Sequence, residues 1–396
     1  MRSQDLLFIW WLSMAMIAAC AQPVPTSTRD SLCLNGTWRF MPAIGPAIIE
    51  PTGDQTAWGQ IRVPGKWAGF RLPGLVQRGT GAQWNAFSDK TARGWYERTV
   101  SVPSSWQGRQ IVLELQRVCT DAVVFVNSRR CGEVRWPGGE VDITDAVQAG
   151  HEAQLRLLVV ATPDEQQVRD LLAGRQTSHD FQGWQWACGL TGEVFLHSRP
   201  RGARIADVFV QPSVRRRELA VDVDLTGLEQ TGSDSVRFVA RLVNAQGQTE
   251  REFQAVRMVR PAQAQRLRLV WQWEHPRLWD VTQPHLYTLF LRAQGAGIDD
   301  EYAVTFGFRE FWIEGRRFML NGKEIHLRPI CLPDEWTDYN GCPEYINSVI
   351  DGYQRVGFNI GEQWPWDDRE RGRINFRHLW AEIADRKGFL VIGALP

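Results

Sequence analysis

The chain has 396 residues, of which 43% are hydrophobic and 23% charged, with acids and bases balanced at 45 each. That length allows two or three domains of ordinary size. The balanced charge supplies no global field of the kind that draws a protein to nucleic acid or to an anionic membrane surface. Tryptophan is unusually frequent, at 19 residues. Each is either core or a flat platform on which a sugar ring can stack.

Residues 1–20 hold a short apolar run from Leu6 to Ala19 behind Arg2, too short for a membrane span. This pattern predicts a signal peptide and therefore export, to the periplasm or the outer surface of a bacterium. The run closes on Ile17-Ala18-Ala19-Cys20, small residues directly before a cysteine. Two outcomes follow from it: lipidation of Cys20, which would attach the protein to a membrane, or ordinary cleavage near Ala19 or Ala21. Residues 21–30 then read as a linker. Six further cysteines, Cys33, Cys119, Cys131, Cys188, Cys331 and Cys342, show no Cys-x-x-Cys spacing. They are expected to be mostly buried thiols, with no disulfide pairing assigned.

From residue 31 to 200 the chain is rich in short strands. GWYERTVSVP, QIVLELQRV, AVVFVN and AQLRLLVVA follow one another with turn residues between them. That rhythm predicts an antiparallel sandwich or jelly roll. A second all-β block, residues 201–308, includes ELAVDVDLTG, SVRFVARLVNAQGQ, RLRLVWQW and LYTLFLRAQ. Its size and spacing predict an immunoglobulin-like β-sandwich, without the Cys-Trp-Cys pattern of antibody domains.

Residues 309–396 change pattern. RRFMLNGKEI is a hairpin around Asn321-Gly322, followed by a strand (IHLRPIC), a helix (EYINSVIDGYQRVG), a strand (FNIGEQW), a helix (INFRHLWAEIADRKG) and a strand (FLVIGAL). Tyr345, Ile346, Val349, Ile350 and Tyr353 make an apolar stripe on the first helix. Gly357 and Gly388 stand where helix-ending glycines belong. Strand–helix alternation of this kind implies parallel strands.

In this order the motifs resemble glycoside hydrolase family 2, the β-galactosidase and β-glucuronidase group. The similarity is carried by LNGTWRF, GWYERTVSVPSSWQGRQIVLEL, VFVNSRRCGEV, VDITD, HPRLWDVTQPHLYTL and FGFREFWIEGRRFMLNGKEIHLR. The resemblance implies a multidomain, mainly β protein: a jelly-roll β-sandwich, an immunoglobulin-like β-sandwich and the first part of a (β/α)8 barrel. It implies a retaining hydrolase of β-linked sugars that needs no cofactor or metal, with homo-oligomerisation left open. A full barrel has eight strand–helix units, and residues 309–396 supply three strands and two helices. The expectation is thus of a fragment: the acid/base after the fourth strand and the nucleophile near the seventh are both missing. No catalytic residue is assigned, and hydrolysis by this polypeptide alone is not expected.

Barrel sites gather at the C-terminal ends of strands. The substrate-binding candidates are therefore Asp334, Glu335 and Trp336 after the first strand and Glu362, Trp364 and Trp366 after the second. Carboxylates accept hydrogen bonds from sugar hydroxyls, and indoles cover the C–H faces. Asp367 and Asp368 are better read as capping a helix that starts near Ile374, or as pairing with Arg369 and Arg371.

Two departures from the family pattern matter. The family's Arg-Gly and following His are replaced by Arg328-Pro329 and Pro333. Its Asn-x-x-Arg becomes Asn359 followed three residues on by Glu362. An anion in place of a cation inverts the local electrostatics, so the sugar cannot be inherited from the family. The competing reading is a non-catalytic carbohydrate-binding or surface scaffold protein, in which an exposed Trp84 or Trp136 stacks on sugar.

Overall fold

The computed structural model describes residues 23–43, 55–67, 76–85, 87–88, 91–161, 166, 169, 188–229, 234–333, 343–363, 367–368, 373–374 and 378–393. Alternating burial along the strands builds the first unit. It comprises β1 (Asp30–Cys33), β2 (Gly36–Pro42), β3 (Gly59–Val63), β4 (Val76–Gln77), the short helix α1 (Ala82–Asn85), β5 (Arg93–Ser101), β6 (Gln110–Leu115) and β7 (Val118–Cys119). It continues with β8 (Asp121–Val126), β9 (Arg129–Arg135), β10 (Gly139–Asp142), β11 (Glu152–Val160), β12 (Gly189–Leu190) and β13 (Val194–Arg199). One sheet runs β1-β13-β6-β10 and the facing sheet β4-β3-β2-β5-β11-β8-β9.

The two sheets close over a core containing Trp38, Phe40, Tyr96, Trp106 and Leu113, all essentially inaccessible. Each fully buried Phe or Leu contributes about 2 kcal/mol of burial free energy. The central strands β5, β8 and β11 are apolar on their other face too. There Trp95, Val123, Phe125, Leu158 and Val160 form a second cluster against Met41, Ala43 and Trp58. Glu97, 3% exposed in the middle of β5, is held by Arg156 at 2.7 Å and by Arg39. Burying a carboxylate is costly unless it is paired in this way.

The packing removes the two proposed stacking platforms. Trp84 is 3% and Trp136 4% exposed. Trp84 donates its indole N–H to the Ala57 carbonyl at 2.7 Å and lies edge-on to Phe40 and Phe87. Both tryptophans are core, as the apolar payload of an indole favours when a carbonyl satisfies its nitrogen.

The second unit has seven strands in two antiparallel sheets. These are β14 (Arg204–Ser213), β15 (Glu218–Thr226), β16 (Asp234–Asn244), β17 (Thr249–Val259), β18 (Ala264–Gln272), β19 (Leu286–Gly295) and β20 (Ile298–Gly307). Their order is β14-β15-β18 in one sheet and β17-β16-β19-β20 in the other. Alternate residues such as Leu219, Val221, Val223, Leu225 and Phe238, Ala240, Leu242 point inward at 0% exposure. The expected β-sandwich is present, and period-2 alternation is the physical reason.

The third unit opens with a small sheet of β21 (Phe311–Glu314), β22 (Arg317–Leu320) and β23 (Lys323–Glu324). Asn321 and Gly322 have φ of 55° and 85°. This is the left-handed pair that a two-residue hairpin turn requires, which Asn and Gly adopt with least strain. Then β24 (Pro329–Cys331), α2 (Pro343–Arg355), β25 (Ile360–Gln363), the short pair β26 (Asp367–Asp368) and β27 (Arg373–Ile374), α3 (His378–Lys387) and β28 (Leu390–Gly393) follow. β24, β25 and β28 are parallel neighbours in that order. Ile346 and Ile350 of α2 and Trp380, Ile383 and Ala384 of α3 bury against Leu332 and Phe389. Gly357 and Gly388, at φ of 96° and 71°, follow the two helices as expected. The second helix starts at His378, not near Ile374, because Arg373–Ile374 instead pairs with Asp367–Asp368.

The cysteines differ from expectation at two positions. Cys119 and Cys188 are buried thiols and Cys131 is half-buried, but the Cys331 thiol is exposed. Cys33 is disulfide-bonded.

Candidate functional site

Parallel register brings the strand ends of the third unit together. Cys331 stands opposite Glu362, and Glu362 opposite Ile392. The Cys331 thiol approaches Glu362 Oε2 at 3.6 Å, and the Tyr353 hydroxyl reaches the Cys331 carbonyl at 3.4 Å. Burial pushes the Tyr353 phenol above its ordinary value, helped by Tyr345 and Cys331 beside it. Gly361 precedes Glu362 for a steric reason. A Cβ there would lie 2.4 Å from Leu332 Cδ2 and 2.9 Å from the Phe389 ring. The close packing of β25 onto its neighbours therefore depends on glycine.

The opposite end of the sheet is pinned by Asn359. Its side chain accepts the Arg328 N–H at 2.7 Å and donates to the His326 carbonyl at 2.9 Å. Its backbone N–H donates to the Arg328 carbonyl at 3.2 Å, and its carbonyl accepts from Leu390 N at 2.9 Å. Asn359 thus precedes β25 and acts as a register clamp, on the side away from Glu362.

Of the sequence-predicted contacts, Glu362 is placed at a strand end and half-buried. Asp334, Glu335, Trp336, Trp364 and Trp366 lie outside the described residues, as does Cys20. Among the described residues the three parallel strand ends carry one carboxylate, Glu362, whereas retaining hydrolysis needs two about 5 Å apart. One carboxylate with a neighbouring thiol and phenol can accept hydroxyl hydrogen bonds; it does not constitute a glycosidic acid–nucleophile pair.

The residues that hold the units in register were not singled out in the sequence. Trp279, from the loop after β18, donates its indole N–H to the Asp385 carbonyl of α3 at 2.7 Å. Asp300, 0% exposed on β20, accepts two bonds from Arg29. The Arg29–Asp300 pair spans 271 residues of chain, beyond the reach of any local pattern. For Trp279 a signal existed: an LWD triplet between the strands RLRLVWQW and LYTLFLRAQ, with no alternation to explain the tryptophan.

Two β-sandwiches followed by parallel strand–helix units define a modular β-rich protein. A sequence profile described as "Glycosyl hydrolases family 2" matches residues 203–309. The β-glucuronidase of Paenibacillus borealis is 25% identical over 94% of this chain and 60% of that protein. A β-galactosidase of Bacteroides ovatus is 23% identical over 80% of this chain and 36% of its own length. Among solved structures, a glycosyl hydrolase family 2 member from Bacteroides cellulosilyticus superposes with a TM-score of 0.66 at 21% identity, covering 91% of this chain and 47% of that one. A Ruminococcus gnavus β-glucuronidase gives 0.63 at 19% identity, covering 94% and 60%. The chain matches this family's profile over residues 203–309 and shares the fold of its solved members. It spans 60% or less of the curated relatives named here.

Proposed function

We propose that this chain is the framework portion of an exported retaining glycoside hydrolase that cleaves O-glycosyl bonds of β-linked sugars. In this reading the three parallel strands are the opening of a (β/α)8 barrel. The catalytic carboxyls come from strands outside the residues described here, and Glu362 is a substrate contact rather than a catalyst. The observation that carries the reading is the order of the units: sandwich, sandwich, then parallel βα units, aligned over 94% of the chain with a β-glucuronidase. The Cys33 disulfide supports export, since such bonds persist in oxidising compartments.

The test is titration of the purified chain with methyl β-D-glucuronide and methyl β-D-galactoside, alongside the corresponding nitrophenyl glycosides. Weak saturable binding that Glu362→Ala diminishes, with no nitrophenol released, is the expected result. Turnover by this chain, or binding indifferent to Glu362→Ala, would overturn the assignment. For Cys20, labelling with a palmitate analogue should mark the parent and spare Cys20→Ala. An unlabelled parent would end the lipidation reading, and a new free thiol at Cys33 in that variant would make Cys20 a disulfide partner.

A further inference from the structure

A cavity of about 240 Å³ opens between the two sandwiches, away from the strand ends of the third unit. One wall is the β1-β13-β6-β10 sheet, contributing Ser31, Glu114, Glu140, His197 and Arg199. The other is β14 and β20 of the second sandwich, contributing Ala206, Tyr302 and Ala303, with Arg29 crossing between them.

The arginines in these walls are already paired. Arg199 pairs with Glu140 at 2.9 Å and Arg29 with the buried Asp300 at 2.6 Å. His197 bridges Ser31 Oγ and Glu114 Oε2, each at 2.8 Å. An incoming anion would therefore meet no unpaired arginine, and a bare anion entering such a site loses hydration without return. Among the described residues no group of His, Cys, Asp and Glu is arranged to hold a metal.

Hydrogen-bonding capacity remains nevertheless. A carboxylate offers about four acceptor sites, and Glu114 makes one side-chain bond among the described residues, to His197. Arg29 spends Nε and Nη2 on Asp300 and the Ile205 carbonyl, leaving Nη1. The Tyr302 hydroxyl, on a ring already covered by Arg29 at 4.7 Å, takes no protein partner among the described residues. The alanines supply apolar surface between these groups. Donors, acceptors and short apolar patches in a cavity below drug-ligand size match one small ring that alternates C–H with O–H.

Ser31, His197 and Glu114 also line up as a nucleophile, base and acid would. Acyl transfer does not follow, because the Ser31 N–H is taken by Asp30 Oδ1 at 2.8 Å. That removes the backbone donor nearest an oxyanion, and the carboxylates of Asp30 and Glu140 would oppose its charge.

We propose that this junction is a non-catalytic binding site for a single neutral pyranose, held by Glu114, Arg29 and Tyr302. It is independent of the strand-end site, so the two fail separately. The experiment titrates the full chain carrying Glu362→Ala with methyl β-D-glucopyranoside, with glucuronate and glycerol in parallel, by saturation-transfer NMR. The expected result is saturable glucoside binding that Glu114→Gln weakens about tenfold, the worth of one charge-assisted hydrogen bond. Ala206→Trp, a substitution at an exposed position that fills the cavity, should abolish binding with the melting temperature unchanged. Glucoside binding that survives Ala206→Trp, glucuronate binding as tightly as the glucoside, or no saturation up to about 100 mM would each overturn the site.

Discussion

The indole nitrogen of Trp279 donates to the backbone carbonyl of Asp385 at 2.7 Å, joining the second sandwich to helix α3. Trp279 is fully buried, Arg309 lies 4.2 Å over its ring, and Arg309 also pairs with the Asp385 carboxylate at 2.8 Å. Its backbone N–H donates to Phe308 and its carbonyl accepts from Asn321. One side chain therefore sets how the α/β unit sits on the β-sandwich. Trp279→Ala should cost about 4 kcal/mol through lost burial and an unfilled cavity. Trp279→Phe should cost about 1 kcal/mol beyond its smaller area, for the missing hydrogen bond. Urea unfolding followed by circular dichroism checks both. A loss under 1 kcal/mol for Trp279→Ala would show that the unit is held elsewhere.

Asp300 holds the segment preceding the first sandwich onto the second. Its carboxylate accepts Arg29 Nε at 3.0 Å and Nη2 at 2.6 Å, Thr28 Oγ1 at 2.9 Å and Ile205 N at 2.9 Å. Burial alone would raise its pKa; Arg29, the Ile205 N–H and Thr28 outweigh it and hold the carboxyl below the usual range. A depressed folded-state pKa adds stability above the unfolded value and loses it as pH falls through the folded one. Asp300→Ala, which strands the Arg29 charge, should cost about 4 kcal/mol at neutral pH. The gap between parent and variant should shrink below about pH 4, where the unfolded carboxyl protonates. Thermal melts across that range provide the measurement, and a pH-independent gap would contradict the assignment.

The Asn321-Gly322 turn couples hairpin geometry to the same joint. Asn321 Oδ1 accepts the Glu310 N–H at 2.9 Å, while Nδ2 donates to the Trp279 carbonyl at 2.8 Å. Asn321→Ala removes both bonds and places a poorer residue at φ 55°. The expected cost is about 2 kcal/mol. Gly322→Ala, at φ 85°, should cost about 1 kcal/mol from backbone strain alone. If the two substitutions prove equal, the side-chain bonds of Asn321 contribute nothing measurable.

Much of this architecture could be read from periodicity. Two-residue alternation gave both sandwiches, and the Ile346–Ile350 spacing gave the buried face of α2. What failed shared one cause, which is that partners distant in sequence decided the outcome. Trp84 stands in a turn-rich stretch that reads as exposed until Phe40 and the Ala57 carbonyl are known to enclose it. The helix expected near Ile374 starts at His378 because a pairing with Asp367–Asp368 intervenes. At the site, Glu362 was legible as a strand-end carboxylate. Its proximity to the Cys331 thiol needed the parallel register of β24 and β25.

Tyr287 gives a test at the alkaline end. Its hydroxyl donates to Glu250 Oε2 at 2.9 Å and accepts the Arg277 N–H at 2.9 Å, within the core of the second sandwich. Burial, offset in part by the Arg277 N–H and reinforced by the Glu250 charge, pushes the phenol up to about 12. A phenol raised in the folded state favours folding fully below its unfolded pKa of about 10. That contribution is lost as pH climbs from there through the folded value. The parent should lose more stability than Tyr287→Phe between about pH 10 and 12, and its phenolate absorbance should show one more late-titrating tyrosine than that of the variant. Parallel stability curves for the two proteins over that interval would mean that the Glu250–Tyr287 bond does not persist in solution.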